Sequence, residues 1–145
     1  MDRIASTITS ATTGDLFAVV ADLATYPDWL DLVRRVDPTD PADDARPAWF
    51  VTLRAQVGPL ARSKRLRMVR TTYVPDREVR FERSEIDGKR HSSWTLDAHV
   101  VEAAAGSEVT MRLRYDGSFW SGILEAILGS QIDTAIPKLR AHVEA

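Results

Sequence analysis

Arg83 and Glu85, two opposite charges two positions apart, carry the clearest potential for chemistry in this 145-residue chain. Both share strand parity with Val79 and Phe81, so if Phe81 points into an apolar interior, Arg83 and Glu85 point there too. Inside, each would need the other or a ligand, because an isolated buried charge is costly. Such a pair can orient the polar head of a ligand and act through shifted pKa values. The guanidinium would hold an enolate oxygen rather than donate a proton, since its pKa exceeds about 12. The competing arrangement is a strand that leaves the core beyond Phe81, with both groups solvated near a hairpin.

A second set is aromatic: Trp29, Trp49, Trp94, Trp120, Tyr115 and Phe119. Apolar receptacles are lined by such side chains with a few placed polar groups, but large aromatics also fill ordinary cores. Trp94 and Tyr115 share the inward parity of their strands and are the preferred wall residues. Trp120, Leu124, Ile127 and Leu128 form a stripe at helical spacing, and Gln131 falls at its centre. Facing the sheet, Gln131 would need a ligand, a water or a strand residue as partner; the stripe turns nearby, which allows exposure instead. The candidate ligand-binding set is therefore Phe81, Arg83, Glu85, Trp94, Tyr115, Trp120, Leu124, Ile127 and Gln131.

Other constellations are weaker. Arg62, Lys64, Arg65, Arg67 and Arg70 could touch RNA or an acidic partner, but alternation with Leu66 and Met68 puts Arg65 and Arg67 on a solvated strand face. His91, His99 and His142 share no metal-ligand spacing, so no metal site and no cofactor is expected. There is no Gly-x-Ser-x-Gly elbow and no Gly-rich phosphate loop. Cys is absent, which excludes disulfides, thiolate ligands and Cys nucleophiles. A net charge of −2 gives no reason to expect general nucleic-acid binding. Met1-Asp2-Arg3-Ile4 lacks a signal-peptide pattern, and no apolar run approaches the ~20 residues of a membrane span. The expectation is a cytoplasmic protein of one domain, residues 1–145, with its oligomeric state left open.

These groups must be held by recognisable elements. Arg3 to Thr9 starts a strand with Ile4 and Ile8 on one face. Thr12 can cap a helix running to about Leu23, with Asp15 three residues on. Tyr26-Pro27-Asp28-Trp29-Leu30 predicts a second short helical turn with Pro27 at its first position. Leu32 to Val36 reads as a strand and Pro38 to Pro47 as an exposed loop. Trp49, Val51, Leu53, Ala55 and Val57 alternate strictly. Leu60–Tyr73, Val79–Ile86, the Trp94–Val100 strand and the Val109–Tyr115 strand follow, separated by short turns, with Asp87-Gly88 predicting a hairpin. Short turns imply an antiparallel meander. From Ser118 to Ala145 the spacing predicts one long helix, kinked at Pro137.

The fold class expected is thus α+β: a curved antiparallel sheet of about six or seven strands around a long C-terminal helix, with two short helices after the first strand. This order resembles the helix-grip layout of the START-like (SRPBCC) superfamily. Tyr26-Pro27-Asp28-Trp29, the Trp49 strand, Arg80-Phe81-Glu82-Arg83-Ser84, Ser93-Trp94-Thr95-Leu96 and Met111-Arg112-Leu113-Arg114-Tyr115 are similar to its polyketide cyclase/dehydrase-like branch. The resemblance implies a cavity between sheet and terminal helix rather than one reaction. The leading expectation is binding of a hydrophobic or amphipathic small molecule there: a lipid, polyketide or aromatic compound. The alternatives are a polyketide cyclase/aromatase-type enzyme and a ribosome-associating interaction protein.

Overall fold

Alternating side chains and short connections build one antiparallel sheet in the computed structural model. The structure describes residues 1–116 and 122–145, apart from the side chains of residues 57 and 122–124. In chain order it contains β1 (Asp2–Thr9), α1 (Thr13–Val20), a 3-10 helix (Leu23–Asp28), β2 (Val33–Thr39), β3 (Ala48–Val57), β4 (Leu60–Val74), β5 (Glu78–Arg83), β6 (Ser93–Ala103), β7 (Gly106–Asp116) and α2 (Gly122–Glu144). The seven strands lie in the order β1-β7-β6-β5-β4-β3-β2. This is the helix-grip architecture that the strand count, the two short helices and the long terminal helix predict.

Local chemistry explains where the elements begin and end. Thr12 caps α1 by accepting the Asp15 N–H at 3.1 Å. The helix stops at Val20, short of the predicted Leu23, because Asp22 accepts the Ala24 N–H at 3.0 Å and starts the 3-10 helix there. Pro27 therefore lies inside that helix, not at its first position. β2 runs on through Pro38 to Thr39, which the sequence assigns to a loop; an edge strand tolerates a residue with no N–H to give. β5 ends at Arg83 rather than Ile86, and residues 84–92 replace the expected tight hairpin. The cause is a side chain: Glu85 accepts the backbone N–H of Arg67 at 2.8 Å, while the Ser84 N–H donates to the Arg67 carbonyl at 2.9 Å. The chain beyond Arg83 thus follows β4 through a carboxylate instead of a ladder.

One face of the sheet is apolar and covered. Leu53, Leu66, Phe81, Trp94 and Met111 lie on it, with α1 and the buried Leu128, Ala135 and Leu139 of α2 packed against the same core. The opposite face is wet and charged. There Asp97 is buried between Arg80 at 2.5 Å and Arg114 at 3.0 Å. Ile4 and Ile8 do share a face, and it is this outer one, where they are 60% and 48% exposed. Arg3, Ala5 and Thr7 of β1 turn inward instead. α2 is continuous through Pro137.

Candidate functional site

Between the sheet and α2 lies a partly open cavity with a wholly apolar wall. Its floor is Val51 and Leu53 of β3, Leu66 and Met68 of β4, Trp94 and Leu96 of β6, and Met111 and Leu113 of β7. The 3-10 helix and the residues after it close one side with Tyr26, Trp29 and Leu30. Ile132, Ala135 and Ile136 of α2 form the roof. Space open to the centre of a water-sized sphere is ≈ 80 Å³, inside a total empty volume of ≈ 760 Å³ that counts the solvent at its mouth. The smaller figure is the better measure of the enclosed part. It is several times the ~10–15 Å³ that one water needs.

The surrounding side chains are held firmly. Tyr26 and Trp29 pack with their rings tilted at a centroid distance of 4.4 Å, and Phe81 meets Trp49 edge-on at 5.7 Å and Tyr26 at 6.3 Å. The Tyr26 hydroxyl donates to the Val20 carbonyl at 2.7 Å, and burial pushes its pKa far above the usual phenol value. Arg3 reaches the cavity with its stem, since no polar surface lines the wall. Its guanidinium lies over Gly129, where an added Cβ would sit 2.9 Å from the guanidinium carbon, and it pairs with Asp133 at 2.7 Å. The glycine inside a helix is explained by that close passage.

Of the predicted ligand-binding residues, Trp94 lines the cavity. Tyr115 is buried beside it, the two rings 4.5 Å apart, behind the wall rather than in it. Phe81 is fully buried in the Trp49–Tyr26 cluster, one step removed from the cavity. Ile127 and Gln131 are half-buried on α2 and are not part of the wall. Among the described residues, the buried Gln131 Oε1 has no hydrogen-bond partner. Trp120 and the side chain of Leu124 fall outside the described residues.

Arg83 and Glu85 form an ion pair at 3.1 Å, with side chains only 7% and 14% exposed. Arg83 also donates to the Ser92 carbonyl and hydroxyl at 3.3 and 3.2 Å and meets His91 Nδ1 at 3.3 Å. His91 in turn contacts Asp87 at 2.9 Å. The backbone N–H of Lys89, followed by His91, holds the Asp87 carboxyl below its ordinary range. Lys64 belongs to the same neighbourhood: burial and the Arg83 charge lower its pKa, and Glu85 opposes them. The ligating atoms of Glu85, Asp87 and His91 lie within 4.8 Å of one another, a cluster the histidine spacing did not reveal. The Arg83 guanidinium bonded to two of its three members opposes a cation there.

Sequence reasoning missed Arg3, Lys64, His91 and Ser92. Their joint placement depends on register, Met68 opposite Arg83 and Leu53 opposite Lys64, which a single strand's pattern does not contain. A mid-helix glycine at 129 was the one available signal for Arg3. The basic run is corrected as well. Arg67 is buried, not solvated, with its guanidinium bonded to the Ser84 carbonyl at 2.8 Å and the Asp40 carbonyl at 3.4 Å. Arg65 stays on the outer face, over the Phe50 ring at 4.0 Å. Among the described residues, no helix is long and apolar enough to cross a membrane.

Comparison with known proteins places this geometry. A Thermus thermophilus protein superposes with a TM-score of 0.75 at 14% identity, covering 99% of this chain and 97% of its own. The Zhui aromatase/cyclase of a Streptomyces species superposes with a TM-score of 0.70 at 12% identity, over 99% and 93% of the two chains. A START superfamily protein from Mycobacterium smegmatis gives 0.65 at 14% identity, over 99% and 96%. Identities this low establish the fold alone. No curated protein matches the sequence. The family described as polyketide cyclase/dehydrase and lipid transport matches residues 1–144, so with its strand order and its apolar hollow under α2 this chain belongs to that family.

Proposed function

We propose that the protein binds an apolar or amphipathic small molecule between the sheet and α2. The observation that carries this reading is the wall: nineteen residues from the sheet, the 3-10 helix and its following turn, and α2 line a partly open hollow that presents no polar surface. Burial of an apolar ligand there gains roughly 25 cal/mol per Å² before the costs of ordering it. The Arg83–Glu85 network shares the inward parity of β5 beyond Phe81 and lies outside the cavity wall; a ligand reaching past that wall would meet it with its polar end. Native mass spectrometry of protein purified without refolding should detect a retained lipid-like or aromatic molecule. A fluorescent apolar probe such as 1-aminoanthracene should bind saturably at one site. The absence of both a retained molecule and saturable probe binding would remove the proposal.

A second reading, ring closure on a poly-ketone chain, draws on the family description and on the same inward charges. Confinement would bring one carbonyl to one carbon nucleophile. Glu85 would take the carbon-bound proton, Arg83 would hold the enolate oxygen, and the proton would end on the new alkoxide. Unchanged turnover of a poly-β-ketone thioester by Glu85→Gln would discard this role.

A further inference from the structure

One end of the sheet is built differently from the rest. The β2–β3 ladder ends at Val33 opposite Leu53, and the β4–β5 ladder reaches only Met68 opposite Arg83. The β3–β4 hairpin continues past both, through Ala55 opposite Arg62 to Gln56 opposite Ala61. Among the described residues it overhangs as a two-stranded ribbon with no strand paired on either flank. Such ribbons are marginal in water by themselves. This one nevertheless exposes Leu60 at 64% beside its Gly58-Pro59 turn. On the neighbouring hairpin, at the same end, residues 84–92 expose Ile86 at 77%.

The charge on these two segments is net positive. The ribbon from Arg54 to Lys64 carries Arg54, Arg62 and Lys64 and no acid, in a chain whose net charge is −2. Lys89 and Arg90 project from the 84–92 loop, and both are exposed. Among the described residues, Arg54, Arg62, Lys89 and Arg90 form no ion pair. Of the acids of this loop, Glu85 is paired by Arg83, while Asp87 bonds His91 and keeps its charge, which Lys89 and Arg90 together outweigh. Apolar tips surrounded by uncommitted cations match an anionic bilayer surface: the cations meet headgroup phosphates while the tips enter the acyl boundary.

We propose that the β3–β4 ribbon and the 84–92 loop dock this protein on anionic lipid membranes, with Leu60 and Ile86 inserted. The surface is independent of what the cavity holds. Docking would bring Leu53 and Trp94 of the cavity wall to the membrane side, one and two residues in from Arg54 and Ser92.

The test is flotation with vesicles of phosphatidylcholine containing 30 mol% phosphatidylglycerol (about that fraction suffices for an anionic surface), against pure phosphatidylcholine. The protein should float with the anionic vesicles and not the neutral ones. Each basic side chain at the surface contributes about fivefold in affinity, so Arg62→Glu/Lys89→Glu should weaken binding by at least about 25-fold. Leu60→Ser/Ile86→Ser should release the protein at equal charge, while Arg77→Glu, at the opposite end of the sheet, should change nothing. Because the chain has no cysteine, Leu60→Cys labelled with an environment-sensitive fluorophore should blue-shift on anionic vesicles, and the same label at Arg77→Cys should not. All these variants sit on exposed positions, and circular dichroism checks their fold. No flotation, equal flotation on neutral vesicles, equal loss in Arg77→Glu, or binding to polyuridylate without binding to vesicles would each overturn the proposal.

Discussion

Replacing Glu85 separates a structural ion pair from a chemical one. Its Oε1 accepts two donors, the Arg83 Nε–H at 3.1 Å and the Arg67 backbone N–H at 2.8 Å. Glu85→Ala leaves a guanidinium that is 7% exposed with only neutral partners and strands a main-chain donor. An uncompensated buried charge costs about 3–5 kcal/mol and an orphaned donor about 1–3 kcal/mol. Glu85 is itself 14% exposed, so water can reach the gap and the low end applies. We expect about 3 kcal/mol of destabilisation. Glu85→Gln keeps a carbonyl oxygen for both donors and loses only the charge, which should cost about 1–2 kcal/mol. Replacing both partners, Arg83→Met with Glu85→Leu, removes the uncompensated charge but still strands the Arg67 donor, so it should recover part of the loss and stay about 1–3 kcal/mol below the parent. Urea unfolding at pH 7 with an unchanged m-value measures all three. Glu85→Ala within about 0.5 kcal/mol of the parent, or as mild as Glu85→Gln, would refute the claim that this carboxylate holds the end of the sheet together.

Other perturbations have equally definite outcomes. Ala135→Leu projects three more carbons into the hollow from a position 3% exposed; probe binding should fall more than tenfold while stability changes by less than about 3 kcal/mol, as isothermal titration and thermal melts would show. Phe81→Ala empties the centre of the Trp49–Tyr26 cluster and should cost about 3–5 kcal/mol in a urea titration. Gly129→Ala gains up to about 1 kcal/mol of helix propensity but displaces Arg3 from Asp133; a double-mutant cycle with Arg3→Ala should show the alanine more stabilising once Arg3 is gone, and zero coupling would contradict the close passage. Asp2, Asp44, Asp87 and Glu144 are all held below the ordinary carboxyl range, by Arg112, Arg46, the Lys89 N–H and the Ser10 N–H respectively. Their folded pKa values lie below the unfolded ones. Their contribution is therefore complete above the ordinary carboxyl value of about 4 and is lost as pH falls through the depressed values. Melting temperatures from pH 7 to pH 2 should drop less steeply for Asp2→Asn/Glu144→Gln than for the parent.

The fold was legible because its signals are local. Strict alternation from Trp49 to Val57 and the turn residues at Gly58-Pro59 and Ala105-Gly106 each decide a strand or a reversal without help from distant residues. The site was legible only in part. Parity places Arg83 inward once Phe81 is known to be buried, yet parity says nothing of the neighbour on the next strand, so Lys64 and the contacts to Ser92 and His91 stayed hidden. The same blindness reversed Arg67: alternation sends it to the outer face, and a loop from Asp40 and the turn at Ser84 then cover that part of the face. The tight reversal at Asp87-Gly88 failed for a related reason, because Glu85 finds its partners across the sheet and draws the chain away from its own ladder.

The strand order also has a kinetic meaning. Five of the six strand pairings, from β2–β3 to β6–β7, join neighbours along the chain, and each can form by closing a short loop. The sixth joins Asp2 to Arg114 across nearly the whole polypeptide. Loop-closure entropy delays such a contact until the meander exists to receive it. β1 should therefore arrive late in folding, and lesions in it, such as Arg3→Ala, should accelerate unfolding while leaving the refolding rate nearly untouched.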